Sequence, residues 1–338
     1  MTKLTDSCHR PINYLRISVT DRCNLRCVYC MPAEGIQLLP MTDLLTYEEI
    51  VTVAAVAADM GISKIRLTGG EPLVRLDFLE LVAKLAQVKA IDDISLTTNG
   101  ILLKDVALDL KKAGLNRVNI SLDSLDRGKF ERITRRDKLE EVLQGIEAAK
   151  TADLNPVKIN VVAMRGVNDD EILDFARLTV TEGWHVRFIE LMPFVTDTCS
   201  VGYSEKNDEH MQSQFISTKE IKERLDVLGK LERAKSIAGN GPARYFRLPG
   251  AAGTIGFISP LSQHFCANCN RLRLTADGKL RPCLFSDDEI DLRGLLRNGA
   301  PREALRQVIT EAVRMKPKQH HFSQGVIPRK RFMSQVGG

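Results

Sequence analysis

The sequence predicts an α/β fold, a partial (β/α)6 barrel of the TIM type followed by a C-terminal extension. Three observations indicate it. Strand and helix patterns alternate six times before Pro193, polar motifs follow the strands, and the alternation then stops. Because parallel strands need right-handed crossovers, six such repeats give a parallel sheet that curves toward a barrel. Six is fewer than the eight of a closed barrel, so other residues must cover the open side.

Each repeat has recognisable element boundaries. Thr46 and Glu49 form a capping box, and the apolar pattern after them runs to Met60, where Gly61 ends the helix. The predicted strands are residues 15–19, 64–67, 94–97, 117–122, 157–164 and 186–191. The predicted helices are residues 47–60, 77–88, 138–151 and 169–181, with one more between the third and fourth strands that ends at Ala113. Since ligands bind where parallel strands end, we expect the motifs to lie at the C-terminal ends of the strands.

The pattern becomes irregular after Pro193. Residues 196–213 are polar and match no motif, so we predict a loop there. The remaining predicted elements are helices at 217–228 and 302–315 and short strands at 243–248, 254–258, 272–275 and 280–282. We therefore divide the chain into a barrel domain, residues 1–193, and a C-terminal domain, residues 194–338.

The composition is that of a soluble globular protein, with 43% apolar and 27% charged residues. A net charge of +5 suits an anionic small substrate but is too small to indicate nucleic acid binding. No apolar run approaches the length of a membrane span, and residues 1–13 lack the apolar stretch of a signal peptide. We expect a cytoplasmic protein with no nucleic-acid or membrane partner.

The strongest chemical signal is the set Cys23, Cys27 and Cys30, spaced by three and then two residues after a predicted strand. Three thiolates bind three irons of a [4Fe–4S] cube and leave the fourth iron open to a small chelating ligand. The alternative is a structural zinc site. Zinc prefers four protein ligands, and no fourth ligand lies nearby in the sequence.

A second set, Cys266, Cys269 and Cys283, predicts that the C-terminal extension carries a second iron–sulfur cluster, again with an open iron. Zinc with His264 as the fourth ligand is the alternative. Cys8 and Cys199 stand alone, and we assign them no role.

Two arginines stand beside the second set. Arg271 and Arg273 alternate along a predicted strand, so their side chains share one face. Guanidinium groups bind phosphate oxygens in bidentate fashion, which predicts a polyphosphate ligand. The alternative is a solvated basic strand.

The first cysteine set and the Gly-Gly-Glu-Pro segment at 69–72 resemble the radical S-adenosylmethionine superfamily. The wider pattern resembles one family within it, the GTP 3′,8-cyclases of molybdenum cofactor biosynthesis. The motifs that carry this resemblance are LRISVTDRC at 15–23, GGEP at 69–72, LTTNG at 96–100, NISLD at 119–123, RFIELM at 187–192, FCANCNRLR at 265–273 and GG at 337–338.

The resemblance implies cofactors and contacts. The cofactors are two [4Fe–4S] clusters and S-adenosylmethionine, which starts a radical cyclisation of GTP. The implied S-adenosylmethionine contacts are Tyr29, Gly70, Ser121 and Met192. The implied GTP contacts are Arg16, Arg66, Thr97, Lys158, Arg271, Leu272 and Arg273. For Gly70 there is a physical reason, since the absence of a Cβ lets main-chain groups approach the cofactor closely.

The family also implies partners: a homodimer, a reductant protein and a downstream cyclic pyranopterin monophosphate synthase. The residues alone are also compatible with two other functions. One is a radical enzyme that modifies a peptide and uses the second cluster as an electron carrier. The other is a non-catalytic iron–sulfur carrier or a zinc-dependent binding module. The adjacent arginines and the incomplete cysteine sets favour a nucleotide substrate.

Overall fold

The computed structural model describes residues 4–194, 213–235, 237–239, 241–320, 322 and 328–337. Within them one twelve-stranded sheet runs in the order β12-β11-β10-β1-β2-β3-β4-β5-β6-β9-β8-β7. The strands are β1 Tyr14–Ser18, β2 Lys64–Thr68, β3 Asp93–Thr98, β4 Arg117–Ser121, β5 Lys158–Ala163, β6 His185–Glu190, β7 Glu232–Arg233, β8 Arg244–Arg247, β9 Thr254–Ile258, β10 Arg271–Leu274, β11 Lys279–Arg281 and β12 Ile290–Asp291.

Helices connect the first six strands and cover the outer face of the sheet. The helices of the described residues are α1 Tyr47–Asp59, α2 Phe78–Ala86, α3 Leu103–Lys112, α4 Arg127–Thr134, α5 Leu139–Thr151, α6 Ile172–Thr181, α7 Thr218–Leu225, α8 Arg293–Arg297 and α9 Arg302–Arg314. The Thr46 capping box is present, and Gly61 follows α1 with a positive φ of 105°. The sequence analysis missed α4, a polar helix of eight residues whose N-cap is Asp126.

The predicted α/β partial barrel with a C-terminal extension is confirmed, and the sheet shows how the extension completes it. Strands β1 to β6 pair in parallel and in chain order. The C-terminal residues then add a parallel strand to each edge, β10 beside β1 and β9 beside β6. The same sheet therefore continues across residue 193, although the division of the chain into two domains stays a prediction.

Buried arginines and other polar side chains of the strands point into the barrel among apolar ones, whereas the layer between sheet and helices is apolar. Side chains alternate along each strand, so Leu15 and Ile17 enter the main hydrophobic cluster while Arg16 points to the other face. The cluster includes Ile255 of β9 and Leu272 of β10 together with residues of the first six strands. No helix among the described residues has the length and apolarity needed to cross a membrane.

Candidate functional site

A cavity of about 270 Å³ fills the interior of the barrel, and both cysteine sets line it. All eight parallel strands contribute to its wall, which shows that the sheet curves around it. The predicted site residues on the wall are Arg16, Cys23, Cys27, Tyr29, Cys30, Arg66, Gly70, Thr97, Ser121, Met192, Cys266, Cys269, Arg271, Arg273 and Cys283.

The two cysteine sets lie at opposite ends of this barrel. The first set follows β1, so it lies at the C-terminal ends of the parallel strands, as expected. Cys269 precedes β10, which runs parallel to β1, and Cys283 follows the antiparallel β11. The second set therefore lies at the N-terminal ends of the parallel strands. The expectation that every motif would lie at the C-terminal ends is wrong for this set, because the direction of β10 in the sheet cannot be read from the sequence.

The first cysteine loop is held by α4, the helix that the sequence analysis missed. The backbone N–H groups of Arg26 and Val28 donate to the carbonyls of Thr134 and Ile133, at 2.9 Å each. Within the loop, the N–H of Leu25 approaches the Cys23 sulfur at 3.4 Å, and the N–H of Cys30 donates to the Cys27 carbonyl. These bonds fix the backbone that presents the three thiols to the cavity.

Burial determines the acidity of the first set. Loss of hydration raises the pKa of Cys23 to about 11 and that of Cys30 to about 12. The pKa of Cys27 is raised by burial and by the neighbouring Cys30. Thiols of this kind stay protonated until a metal displaces the protons, so loading of the cluster releases protons.

The Gly-Gly-Glu-Pro segment packs directly on the cysteine loop. The N–H of Gly70 donates to Thr20 O and that of Glu71 to Arg22 O, both at 2.8 Å. A Cβ on Gly70 would lie 2.2 Å from the Arg22 carbonyl oxygen, a distance that backbone atoms cannot accept. Gly70 is thus required for the approach of this segment to the loop, a role that the sequence analysis did not foresee.

We predict that Gly70→Ala prevents correct assembly of the first cluster, because the added methyl group must displace the Arg22 carbonyl next to Cys23. Iron content after anaerobic reconstitution should fall toward half of the wild-type value, with the second cluster retained. The matched control is Gly128→Ala, since this exposed glycine has no positive φ and an added Cβ would approach no atom closer than 3.4 Å, an ordinary contact. Full iron loading of Gly70→Ala would show that the loop adapts.

Tyr29 and Asp123 form a buried pair across the mouth of the barrel. The Tyr29 hydroxyl donates to Asp123 Oδ2 at 2.6 Å, and the N–H of Val162 donates to Asp123 Oδ1 at 2.8 Å. Burial raises the pKa of Asp123 to about 6, although both hydrogen bonds act in the opposite direction. Asp123 was not singled out from the sequence, although it ends the NISLD motif. Ser121 and Met192 lie on the same cavity wall.

The second cysteine set has a cationic environment. Burial raises the pKa of Cys269, but Arg271 and Lys316 outweigh this effect and bring it to about 6. Arg271 Nη2 lies 3.8 Å from the Cys269 sulfur, and its guanidinium stacks on the Phe265 ring. At this end of the barrel a thiolate is therefore stabilised before any metal binds.

The donor sets fit an iron–sulfur cube better than a single metal ion. Tetrahedral zinc holds sulfur ligands about 3.8 Å apart, given Zn–S bonds of about 2.3 Å. In the described part of the chain, no three His, Cys, Asp or Glu side chains converge in a way that could hold one ion. A [4Fe–4S] cube is larger and takes its three thiolates at wider spacing. His264 lines the same cavity, but its ring packs edge-on against His320.

The cations predicted to contact GTP converge between the two cysteine sets. Arg16, Arg66 and Arg273 project into the cavity from neighbouring strands, and Arg66 Nη1 lies 3.5 Å from Thr97 Oγ1. Burial and the nearby Arg273 lower the pKa of Arg16 well below its ordinary value. Buried like charges repel one another, so this cluster favours binding of a polyanion.

Arg187 belongs to the same cluster and was missed as a site residue. It is buried on β6, lines the cavity, and donates to Asn119 Oδ1 at 2.6 Å. Its Nε has no hydrogen-bond partner among the residues that the structure describes. The RFIELM motif contains Arg187, so a charged residue within an apolar strand was the signal that could have revealed it.

Two predicted contacts lie outside the cavity wall. The Leu272 side chain is fully buried in the hydrophobic core, because it alternates with Arg271 and Arg273 on β10. Only main-chain atoms of Leu272 could therefore make the expected contact with GTP, which stays a prediction. Lys158 begins β5, and its ammonium donates to the Ala238 carbonyl. Burial and the nearby Arg187 lower the pKa of Lys158 to about 6. Because the Ala238 carbonyl accepts from its ammonium, an anion can reach Lys158 only by displacing that carbonyl.

The C-terminal tail enters the site. The Gly337 carbonyl accepts hydrogen bonds from Arg16 Nη2 at 2.8 Å and from Arg273 Nη1 at 2.9 Å. Ser334 lines the cavity, and Val336 packs with Phe194 and Phe285 in a small apolar cluster. Gly338 lies outside the described residues, as do Cys199 and residues 196–212 of the predicted polar loop.

Comparison with known proteins identifies the class. The model of the Radical SAM superfamily matches residues 17–179, and that of Molybdenum Cofactor Synthesis C matches residues 184–322. Streptococcus suis SuiB bound to precursor peptide SuiA shares the fold at a TM-score of 0.59 and 14% identity, covering 91% of this chain and 65% of that one. A histidine-tagged anSMEcpe with bound AdoMet has a TM-score of 0.54 and 16% sequence identity, and the match covers 94% of this chain and 80% of that one. Fold and site thus define a radical S-adenosylmethionine enzyme.

Full-length relatives identify the family. The GTP 3′,8-cyclase of Moorella thermoacetica is 54% identical over 335 residues, which cover 99% of this chain and 100% of that protein. That of Desulforamulus reducens is 53% identical over 337 residues, with the same coverage. The chain belongs to the GTP 3′,8-cyclase family. Its cofactors are S-adenosylmethionine and [4Fe–4S] clusters, as the sequence analysis expected.

Proposed function

We propose that the protein converts GTP to (8S)-3′,8-cyclo-7,8-dihydroguanosine 5′-triphosphate in the first step of molybdenum cofactor biosynthesis. The observation that carries this proposal is one cavity that joins the two cysteine sets through a cluster of buried arginines. Such a cavity offers a polyphosphate its cations and offers a base the open iron of the second cluster. The names of the relatives and the C-terminal family match support the same substrate and pathway.

The chain positions the reactants and excludes water. We assign Cys23, Cys27 and Cys30 to the first cluster, and Tyr29, Gly70, Ser121 and Met192 to S-adenosylmethionine. The bound cofactor and first cluster supply the carbon radical of this enzyme class. Arg16, Arg66, Thr97, Arg187, Arg271 and Arg273 hold the nucleotide, and Lys158 joins them once the phosphate displaces the Ala238 carbonyl. The arginines remain charged and take no part in bond changes, so their effect is electrostatic and orienting.

The position of the cations refines how GTP is held. Arg271 lies beside the second cysteine set, and Arg16 and Arg273 lie two residues further along the paired strands, so the second cluster and the cations hold the nucleotide from that end toward the middle of the barrel. The first set lies at the other end. A nucleotide held by base and triphosphate therefore presents the ribose along the barrel toward the first cluster.

This placement predicts the position of hydrogen removal. GTP deuterated at ribose C3′ should pass its label to 5′-deoxyadenosine, because a carbon radical has no selectivity of its own and positioning must select the bond. Mass spectrometry of 5′-deoxyadenosine measures the transfer, with GTP deuterated at C2′ and C8 as the controls. Label from a control substrate and none from C3′ would overturn the mechanism and leave the enzyme class intact.

The cation cluster predicts a selective loss of phosphate binding. Arg273→Ala and Lys158→Ala should weaken GTP binding far more than guanosine binding, since each charge-assisted bond to phosphate contributes about 1.5–3 kcal/mol. For Lys158 this requires that the terminal phosphate displaces the Ala238 carbonyl. Calorimetric titration with both ligands measures the difference. Lys104→Ala, an exposed substitution on α3, is the control. Equal losses for GTP and guanosine would mean that neither residue contacts phosphate.

Partners and location follow as part of the same proposal. A reductant protein must deliver the electron that the class requires, and a cyclic pyranopterin monophosphate synthase consumes the product. We also propose a homodimer. A cytoplasmic location agrees with clustered thiols that must stay reduced to bind iron.

A further inference from the structure

The second cysteine set is spread over two segments of the chain, and residues outside both segments hold them together. Cys266 and Cys269 precede β10, whereas Cys283 follows β11. The residues that connect these segments come from the N-terminal stretch before β1 and from the stretch that follows α9. No motif of the sequence analysis includes either stretch.

Lys316 makes the central connection. It follows α9, is 4% exposed, and lines the cavity. Its Nζ donates to Pro282 O at 2.7 Å and to Arg271 O at 2.8 Å. Pro282 adjoins Cys283, and Arg271 lies two residues from Cys269, so one ammonium bridges both cysteine segments. Cys269 and Cys283 line the same cavity as this ammonium.

Arg10 fixes the backbone next to Lys316. Its Nη2 donates to Pro317 O at 2.7 Å, and its Nη1 donates to Cys266 O at 2.7 Å and Lys318 O at 3.1 Å. Asp6 pairs with Arg10 Nε at 2.5 Å and accepts from the N–H of Cys8 and Arg10. Arg10 is therefore preorganised, and it ties the segment of Lys316 to the first cysteine of the set.

We propose that Lys316 is a positioning residue for the second cluster: its ammonium joins the two cysteine segments and places a positive charge beside Cys269. Burial of an ammonium group costs desolvation free energy. An anion next to Lys316 would offset that cost. A [4Fe–4S] cluster with thiolate ligands is such an anion. A nearby positive charge stabilises its reduced form more than its oxidised form, because reduction adds negative charge. The proposal rests on the second cluster that the proposed function uses.

The test isolates the second cluster in the full-length chain, in a background where Cys23, Cys27 and Cys30 are serines. Lys316→Gln removes the charge but keeps a donor, whereas Lys316→Arg keeps the charge. We expect Lys316→Gln to lose iron to a chelator roughly 10–100-fold faster and to shift the midpoint potential to a more negative value. Lys316→Arg should retain the midpoint potential. Lys318→Gln, at an exposed side chain, is the control and should match the background protein in both measurements.

Iron assays under anaerobic chelation and redox titration monitored by electron paramagnetic resonance measure these quantities, and neither needs GTP turnover. If GTP proved not to be the substrate, the iron-loss and midpoint-potential results would still decide this proposal. Background-level iron retention and an unchanged midpoint potential in Lys316→Gln would overturn the proposal. If circular dichroism shows that Lys316→Gln does not fold, the proposal is tested on Lys316→Arg alone. A shifted midpoint potential in Lys316→Arg, despite the retained charge, would overturn the proposal.

Discussion

Cys27→Ser should abolish the cleavage of S-adenosylmethionine, whereas Cys269→Ser should preserve that cleavage and eliminate the cyclisation of GTP. The physical reason is the separation of the two sets at opposite ends of the barrel. Loss of one thiolate at the first set removes the site where the cofactor binds. Loss of one thiolate at the second set leaves the first loop untouched, because that loop is held by α4 and by the Gly-Gly-Glu-Pro segment.

Two products report the two roles separately: 5′-deoxyadenosine for cofactor cleavage and the cyclised nucleotide for the full reaction. Wild-type protein should hold about eight irons per chain after anaerobic reconstitution, and each variant about four. Cys8→Ser is the control, since Cys8 is exposed and lies outside the cavity. Cyclisation by Cys269→Ser at nearly the wild-type rate would refute the substrate role of the second cluster. Stoichiometric zinc in native protein would refute the cluster itself.

Removal of Gly337 and Gly338 should spare folding and both clusters while it greatly reduces turnover. The Gly337 carbonyl bonds two of the arginines assigned to the nucleotide, and a Cβ on Gly337 would lie 2.5 Å from Thr68 Cγ2. A terminus is usually dispensable. This one is held in the cavity, where its loss admits water, removes a hydrogen bond that orients Arg16, and leaves Arg273 with its bond to Val336 O at 3.2 Å.

Steady-state kinetics of the truncated protein, together with its iron content and thermal unfolding, measure this effect. We expect the loss mainly in kcat, because misplaced arginines still bind phosphate but hold the ribose less well. Lys330→Ala is the matched control in the same segment, since the Lys330 side chain is exposed. The backbone N–H of Lys330 donates to Asp287, and the substitution keeps this hydrogen bond. Normal or increased turnover would show that the tail is dispensable or obstructs the substrate.

The sequence determined the elements of the barrel and the chemistry of both cysteine sets. Local signals sufficed for these features: apolar periodicity for the strands, the Thr46 capping box for α1, and the short cysteine spacing for a cluster. The cation cluster was also expected at Arg16 and Arg66 from the family resemblance, and at Arg273 from its alternation with Arg271 along one strand. The polar helix α4 was not predicted, because its packing against the first cysteine loop is a tertiary contact.

The tertiary structure decided how these parts meet. The pairing of β10 with β1 and of β9 with β6 joins residues that are more than 60 positions apart in the chain, and it places the second cysteine set at the opposite end of the barrel from the first. It also buries Leu272, bonds the Lys158 ammonium to the Ala238 carbonyl, and brings Arg187 into the site. The Lys316 ammonium comes to lie between the two segments of the second cysteine set. Local sequence carries no record of such partners, because long-range pairing is selected by the free energy of the whole sheet and core.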